Sequence, residues 1–257
     1  MAEKTGAEIR YKVAKAAGGT KTLNLRQVTR LAAKGLATKT ETYRKYFEDV
    51  TYPVLLKFAD KGKILDVGCS GGYFLKNIPQ SFEKFGTELD PYVHEIAKKS
   101  LNINEKNLYL GDVLDSQFDN SYFDVITMRG VIEHVHDPVE TIKKVSKLMK
   151  PGAIFYICAT PNGESFVAKL FKQNWNLFHP VEHLWHFSSK NLSLLTKSFN
   201  LKLIWSEYPY IGTPYENINE DIKLINQKIV STELNQKNND ISPPFFENMM
   251  SLIFKKY

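Results

Sequence analysis

The chain has 257 residues, of which 43% are hydrophobic and 24% charged, values that are ordinary for a globular protein. No apolar run approaches the roughly 20 residues that a membrane-spanning helix needs, and residues 1–19 lack the apolar core of a secretory signal. We therefore expect a cytoplasmic protein without a membrane span, in which the two cysteines, Cys69 and Cys158, are buried free thiols.

Positive charge is concentrated near the start of the chain, where residues 1–45 hold eleven Lys or Arg against three Glu within a net charge of +6. A basic segment can bind nucleic acid, an anionic membrane or an acidic substrate. It can equally be the solvated face of helices, because apolar residues between 25 and 36 recur at helical spacing behind Asn24. We predict a helical arm over residues 1–60 and expect no nucleic-acid partner.

Strand-like and helix-like segments alternate from about residue 61. This alternation predicts a doubly wound α/β fold with a mostly parallel, seven-stranded sheet, and the continuous apolar character of the strands fits a sheet covered on both faces. The predicted strands are 63–68, 82–89, 108–112, 123–128, 153–160 and 200–208, and the helices between them are 72–78, 91–101, 138–149 and 188–199. The predicted core is 61–208, with an aromatic, His-rich insertion at 161–187. Residues 209–257 form a C-terminal extension outside the core, with one helix at 219–234.

The first predicted strand ends in the stretch "KGKILDVGCSGGYF", where Asp66 closes an apolar run and three glycines follow. Ligands of doubly wound sheets bind at the carboxyl ends of the strands, and glycine backbone lets them approach closely. The dinucleotide pattern G-x-G-x-x-G is not matched, because Ser70 and Tyr73 stand at its second and third glycines. The turn therefore indicates a different ligand.

The turn resembles motif I of the class I S-adenosylmethionine-dependent methyltransferases, an apolar run followed by D-x-G-x-G-x-G. Asp66, Gly68, Ser70 and Gly72 occupy the four defined positions, and Ser70 is the one departure from glycine. The resemblance implies that Asp66 and the turn hold the amino-acid end of S-adenosylmethionine, because a carboxylate accepts from an ammonium group.

Two further acids extend the resemblance, since each follows the next strand in turn. It implies that Glu88 binds the ribose hydroxyls and that Asp112 binds the adenine amino group. A lone acid after a strand is more often a helix cap, but three at successive strand ends favour the cofactor. The other predicted cofactor contacts are Leu89, Val113, Met128, Arg129 and Tyr43, the last because the aromatic residues of "ETYRKYFED" suggest an N-terminal lid over the cofactor.

The resemblance covers residues 43–206 and is strongest to a subgroup that methylates small molecules such as quinones, sugars and natural products. A hydroxyl acceptor needs a base, and histidine is suited near neutral pH. We predict His134, after the fourth strand, and His183, in the insertion expected to roof the acceptor, as catalytic. For each, a structural histidine bonded to backbone is the competing interpretation.

A metal site is a further question, because quinone O-methyltransferase relatives use a Glu-x-x-Glu-His run for a metal. Gly130 stands at the first Glu of that run here, and Pro180 disfavours a helix that would align His179 with His183. We therefore predict no metal. Asn/Asp-Pro-Pro-aromatic and Pro-Cys runs, which mark nucleic-acid base methyltransferases, do not follow the fourth strand.

The leading hypothesis is a small-molecule methyltransferase that acts on a hydroxyl oxygen of a metabolite or saccharide precursor. An RNA or protein methyltransferase that uses the basic arm, or a non-catalytic regulator that binds S-adenosylmethionine, remains open. All three would keep Asp66, Glu88 and Asp112, so these acids do not separate them.

Overall fold

The computed structural model describes residues 51–246 and 248–257, together with the backbone of two short N-terminal strands. The chain divides into two compact units, residues 1–45 and residues 46–257. Among the described helices, none combines the length and apolar character needed to cross a membrane.

The described part of the first unit is a pair of antiparallel strands, β1 (Arg10–Lys15) and β2 (Gly19–Asn24), which pair from Arg10 with Asn24 to Lys15 with Gly19. The prediction of a helix over these residues was wrong. In "RYKVAK", Arg10 and Lys12 alternate with Tyr11 and Val13 at a period of two, which is the pattern of a strand. The helix predicted for residues 25–36 lies outside the described residues.

The second unit is built on a seven-stranded sheet, and the predicted mostly parallel α/β fold is confirmed. Five parallel strands lie in the order β5-β4-β3-β6-β7, and β9 and β8 complete the sheet beyond β7. Only β9 runs antiparallel to its neighbours in this sheet. The strands are β3 (Gly62–Val67), β4 (Phe82–Glu88), β5 (Leu108–Leu110), β6 (Phe123–Arg129), β7 (Met149–Pro161), β8 (Leu201–Glu207) and β9 (Met249–Lys256).

Strand β9 corrects the prediction that residues 209–257 lie outside the core. It is inserted between β7 and β8, where Tyr156 pairs with Ile253 and Leu203 with Phe254. Leu252, Ile253 and Phe254 are fully buried. The apolar run "MMSLIFKK" is long enough for a strand, but its partner β7 lies about 100 residues earlier, and local pattern does not reveal such pairing.

The helices follow the prediction closely, because proline and capping residues fix where they begin. Asp90 and Asp137 each accept two backbone N–H groups at the start of a helix whose first residue is proline. Ser188 and Asn191 form a capping box at a third helix. The helices are α1 (Tyr52–Leu56), α2 (Tyr73–Asn77), α3 (Pro91–Leu101), α4 (Pro138–Leu148), α5 (Phe166–Phe171), α6 (Ser189–Lys197) and α7 (Ile218–Glu233).

Two hydrophobic clusters cover the two faces of the sheet. Leu65 of β3 belongs to one, together with residues of α4 and α6, while the neighbouring Ile64 belongs to the other, with residues of α1, α2 and α3. This double burial explains the continuous apolar strands. Helix α1 contributes Val54 and Leu55 to the core, so the core begins before residue 61.

Both cysteines are buried free thiols, as predicted. Burial raises the pKa of the Cys158 thiol to about 12 and raises the pKa of the Cys69 thiol still further, so both remain protonated at neutral pH. Neither thiol is therefore suited to act as a nucleophile.

Candidate active site

The glycine turn after β3 is held in an unusual backbone conformation. Gly68, Ser70 and Gly72 have φ angles of +68°, +51° and +78°, in the left-handed region that glycine enters freely. Ser70 therefore adopts a glycine-like conformation at the position where the motif has glycine. A Cβ atom on Gly68 would lie 2.8 Å from Cγ2 of Val131, so the turn sits directly against the segment that follows β6.

This packing gives a testable prediction with a matched control. Gly68→Ala is expected to lower the free energy of unfolding by about 1–2 kcal/mol for the left-handed φ and by about 1–3 kcal/mol more for the contact with Val131. Gly152, at φ +80°, has no atom within 4 Å of an added Cβ, so Gly152→Ala should show only the loss caused by the left-handed φ. Urea unfolding of both variants measures the difference. Equal losses in the two variants would contradict the packing argument. Adding Val131→Ala to Gly68→Ala should recover the part of the loss that comes from the contact with Val131.

Glu88 and Asp112 lie at the carboxyl ends of the neighbouring strands β4 and β5. The Glu88 carboxylate accepts the backbone N–H groups of Ser70 and Asp90, each at 2.9 Å, and so ties the glycine turn to the end of β4. Asp112 Oδ1 accepts the N–H of Leu114 at 2.9 Å. A carboxylate offers about four lone-pair sites, so both acids retain capacity to accept further hydrogen bonds from a ligand.

Asp66 is fully buried, and its carboxylate contacts other side chains of the protein. Thr127 donates to Oδ1 at 2.7 Å, and Nη2 of Arg129 donates to Oδ2 at 3.2 Å. The guanidinium carbon of Arg129 also lies 4.3 Å from the centre of the Phe74 ring. Asp66 therefore anchors the end of β3 to β6 through Arg129. The sequence does not point to Thr127, because only the register of β3 against β6 places it beside Asp66.

The remaining predicted cofactor residues differ in exposure. Val113 and Met128 are buried, whereas the Leu89 side chain is 67% exposed beside Glu88. Tyr43 lies outside the described residues, so its role and that of residues 1–60 as a lid stay predictions.

A second group of polar side chains includes residues that follow β6 and Val131 in the chain. Glu133, His134 and His183 each bring one ligating atom within 4.8 Å of the other two. The rings of His134 and His183 are 4.9 Å apart, and Nε2 of His134 is 4.0 Å from Oε1 of Glu133. The two histidines predicted as catalytic are thus brought together. Glu133 joins them, and its adjacency to His134 was the signal available in the sequence.

Hydrogen bonds hold the segment after β7 over this group. We call residues 161–187 the roof segment. Nδ1 of His134 contacts the carbonyl oxygen of Glu182 at 2.7 Å, and the backbone N–H of Trp185 donates to the Glu133 carbonyl at 3.2 Å. The indole N–H of Trp185 donates to the Val135 carbonyl at 2.9 Å. The roof segment is therefore joined to the turn after β6 at three points.

Comparison with known proteins identifies the family of the core. A family model described as a methyltransferase domain matches residues 39–206. The chain belongs to this methyltransferase family. It is a class I S-adenosylmethionine-dependent methyltransferase, as motif I indicated, and the match covers most of the core.

Individual relatives are distant. An uncharacterised protein of Rickettsia prowazekii is 28% identical over 200 residues, covering 68% of this chain and 76% of its own. The ubiquinone biosynthesis O-methyltransferase of Neisseria meningitidis is 27% identical over 117 residues, which is 41% of this chain and 47% of the relative. The chain therefore spans about half the length of such relatives.

Solved structures share the fold at low sequence identity. A Haloferax volcanii protein solved in complex with the Trm112 methyltransferase activator has a TM-score of 0.62 at 14% identity, covering 86% of this chain and 95% of its own. A Methanosarcina mazei S-adenosylmethionine-dependent methyltransferase has a TM-score of 0.55 at 19% identity, covering 80% and 97%. At these identities the likeness shows the fold alone.

The residues of this methyltransferase fit its cofactor, S-adenosylmethionine. The turn at 68–72 presents backbone without bulky side chains at the carboxyl end of β3, which is where doubly wound sheets bind ligands. Glu88 and Asp112 retain lone pairs for hydroxyl and amino donors. These acids and the turn would hold the cofactor, with Asp66 supporting the turn from within the core.

Glu133 is an exceptional carboxyl group because it is almost completely buried. Burial raises its pKa to about 7, although the hydroxyl of Thr160 donates to Oε2 at 3.2 Å. The folded methyltransferase therefore holds a proton that the unfolded chain releases near pH 4.5, so folding stability falls as pH rises from about 4.5 to about 7.

Glu133→Gln removes this pH dependence, because glutamine does not ionise. We expect the variant to be more stable than the parent at pH 8 and the gain to shrink toward pH 5. Thermal unfolding of both proteins at the two pH values measures it. A gain that is the same at pH 5 and pH 8 would mean that Glu133 does not titrate in this range.

Proposed function

We propose that this methyltransferase transfers a methyl group to a hydroxyl oxygen of a small-molecule acceptor that lies between the glycine turn and the roof segment. The observation that carries the proposal is the cluster of Glu133, His134 and His183, since a hydroxyl acceptor must lose a proton there. The turn after β6, which bears Glu133 and His134, packs against Gly68 through Val131. The names of the ubiquinone biosynthesis O-methyltransferases among the relatives also favour oxygen as the acceptor atom.

His134 is the group best arranged to take the proton. A backbone carbonyl only accepts, so the contact to the Glu182 carbonyl assigns the ring hydrogen to Nδ1 and leaves the lone pair on Nε2. Nε2 receives the hydroxyl proton, and above about pH 7, where Glu133 is ionised, its carboxylate 4.0 Å away stabilises the resulting imidazolium. When bound, S-adenosylmethionine would supply an activated methyl group, while His134 takes the proton that the acceptor oxygen loses.

The roof segment contributes alignment and exclusion of water. Methyl transfer depends on an in-line approach of two groups, so a covered site that restrains the acceptor lowers the barrier. Phe178, Leu184 and Trp185 of this segment each expose about two fifths of their surface, which suits an acceptor with an apolar body. We infer an acceptor that combines a hydroxyl group with an aromatic or aliphatic part.

The test incubates the full chain with isotopically methyl-labelled S-adenosylmethionine and separate panels of phenols, catechols and alcohols, of amines, and of RNA and peptides. Mass spectrometry locates the transferred methyl group. A labelled O-methyl product with at least one hydroxyl panel supports the proposal. Labelling confined to amines, RNA or peptides would overturn it, and binding of the cofactor without any transfer would favour a non-catalytic regulator.

A further inference from the structure

The connection between β8 and β9, residues 208–248, makes hydrogen bonds to the roof segment through Ser242, a residue that is 3% exposed. The backbone N–H of Ser242 donates to the Asn174 carbonyl at 3.0 Å, and Oγ accepts the backbone N–H of Asn176 at 2.9 Å. The Ser242 hydroxyl donates to the Pro243 carbonyl at 3.0 Å, so its hydrogen is engaged there and a lone pair faces Asn176. Ser242 therefore holds the roof segment at two points.

The residue after Asn176 extends this contact to His183. The Leu177 carbonyl lies 2.8 Å from Nδ1 of His183. Because a carbonyl oxygen only accepts, the His183 ring carries its hydrogen on Nδ1 and keeps its lone pair on Nε2. The same ring lies 4.9 Å from the ring of His134, the proposed base. Two consecutive residues of the roof segment therefore join Ser242 to the pair of histidines.

Apolar packing supports the same stretch of the roof segment. Trp175, which lies between the two residues bound by Ser242, is 4% exposed and belongs to a cluster with Ile225 of α7. Leu177 packs against this cluster, and so does Phe246. Ile225 and Phe246 both belong to the connection between β8 and β9. The connection therefore supports this stretch by packing as well as by hydrogen bonds.

Asn248 anchors the chain that carries Ser242. The Asn248 side chain is fully buried, and its Nδ2 donates to the carbonyls of Pro243 and Pro244 at 2.9 and 3.2 Å. Its Oδ1 accepts the hydroxyl hydrogen of Ser165 at 2.9 Å, at the start of α5. Each proline also fixes its own φ angle. Ser242 thus adjoins a stiff, anchored turn, which suits a residue that holds another segment in place.

We propose that Ser242 is a positioning residue, which holds the Leu177 carbonyl in the place where it orients the His183 ring. The inference rests on the proposed function, in which His134 takes the hydroxyl proton. The fixed His183 ring limits rotation of the His134 ring beside it, so the lone pair that receives the proton stays aligned with the acceptor. A backbone shift at residues 176–177 would turn the His183 ring and loosen this alignment.

Ser242→Ala removes the oxygen that accepts the Asn176 N–H. We expect the variant to lower turnover of a hydroxyl acceptor by about tenfold to 10²-fold, the loss that a displacement of about 1 Å can cause. Affinity for S-adenosylmethionine should remain unchanged, because the glycine turn does not contact this stretch. Ser231→Ala is the matched control, since Ser231 is also buried but its hydroxyl donates to the Lys228 carbonyl within α7. Steady-state turnover and calorimetry measure the two quantities.

A second substitution and a double variant test the path to His183. Ser242→Cys keeps nearly the same side-chain size but offers a weak acceptor, so it should lower turnover without opening a cavity. It replaces Ser242→Ala in every comparison if thermal unfolding shows that the alanine variant does not fold. Adding the Ser242 substitution to His183→Gln should have little further effect on turnover, because the ring that Ser242 positions is already absent.

Nitrogen-15 NMR of the histidine side chains tests the His183 ring without any acceptor. In the parent, the His183 signals should show the hydrogen on Nδ1, and their loss in His183→Gln assigns them. In the Ser242 variant, the ring should exchange between its two tautomers, since the contact that selects one of them is displaced. In Ser231→Ala, the His183 signals should match those of the parent.

The results distinguish this inference from the proposed function. Turnover of the Ser242 variant equal to that of Ser231→Ala overturns the inference, and so does a loss that adds fully to that of His183→Gln. An unchanged Nδ1 hydrogen in the Ser242 variant also overturns it, whatever the acceptor. If the protein methylates only amines or macromolecules, the proposed function fails, while a tautomer change in the Ser242 variant still supports the positioning of His183.

Discussion

Asp66→Ala is expected to lower the free energy of unfolding by about 3–5 kcal/mol, because it leaves the guanidinium of Arg129 without its carboxylate partner in a buried place. The Asp66 side chain is fully buried and that of Arg129 is 8% exposed, so water does not replace the lost partner. Thr127 also loses the acceptor of its 2.7 Å hydrogen bond. Urea unfolding of the cofactor-free protein measures the loss, and calorimetry measures the accompanying loss of affinity for S-adenosylmethionine.

Two further variants distinguish the ion pair from a general effect of losing an acid. Asp119→Ala removes an exposed carboxylate and should change stability by no more than about 0.5 kcal/mol. Combining Asp66→Ala with Arg129→Met replaces both charges by apolar groups and should recover most of the loss, since the penalty comes from breaking one side of the buried ion pair. A double variant as unstable as Asp66→Ala would show that Asp66 acts through other contacts.

Local sequence pattern predicts most strands of the sheet, whereas pairing between distant segments is not encoded in it. Strands β3 to β8 are predictable because each is an apolar run bounded by glycine, proline or a helix cap such as Asp90. The pairing of β9 between β7 and β8 joins segments far apart in sequence, and no local pattern encodes it. The β1–β2 pair was missed for another reason, since the helical spacing that supported the predicted arm lies at residues 25–36, beyond these two strands.

The same distinction applies within the site. Glu88 and Asp112 were predictable because the carboxyl ends of parallel strands meet at one edge of the sheet. The partnership of Asp66 with Thr127 depends on strand register, and that of His134 with His183 depends on the path of the roof segment. The ring nitrogen of His183 that carries the hydrogen is set by its contact with the Leu177 carbonyl, and the sequence does not encode that contact.

His134→Gln is expected to lower turnover of a hydroxyl acceptor by about 10²–10⁴-fold, the usual contribution of a positioned proton acceptor. The amide group of glutamine can still donate to the Glu182 carbonyl, but it does not accept a proton as imidazole does. Affinity for S-adenosylmethionine should remain close to that of the parent, because the glycine turn, Glu88 and Asp112 are unchanged. Steady-state turnover and calorimetry measure the two quantities separately.

His94→Gln provides the matched control for this prediction. His94 lies in α3, where its Nε2 contacts the Leu108 carbonyl at 3.4 Å, so it has a structural contact and no place in the cluster. Its replacement should leave turnover within a few-fold of the parent. If His134→Gln and His183→Gln both retain full turnover in folded protein, the cluster does not activate the acceptor. The reaction would then proceed by alignment alone, on an acceptor that reaches the site already ionised or that offers a neutral amine.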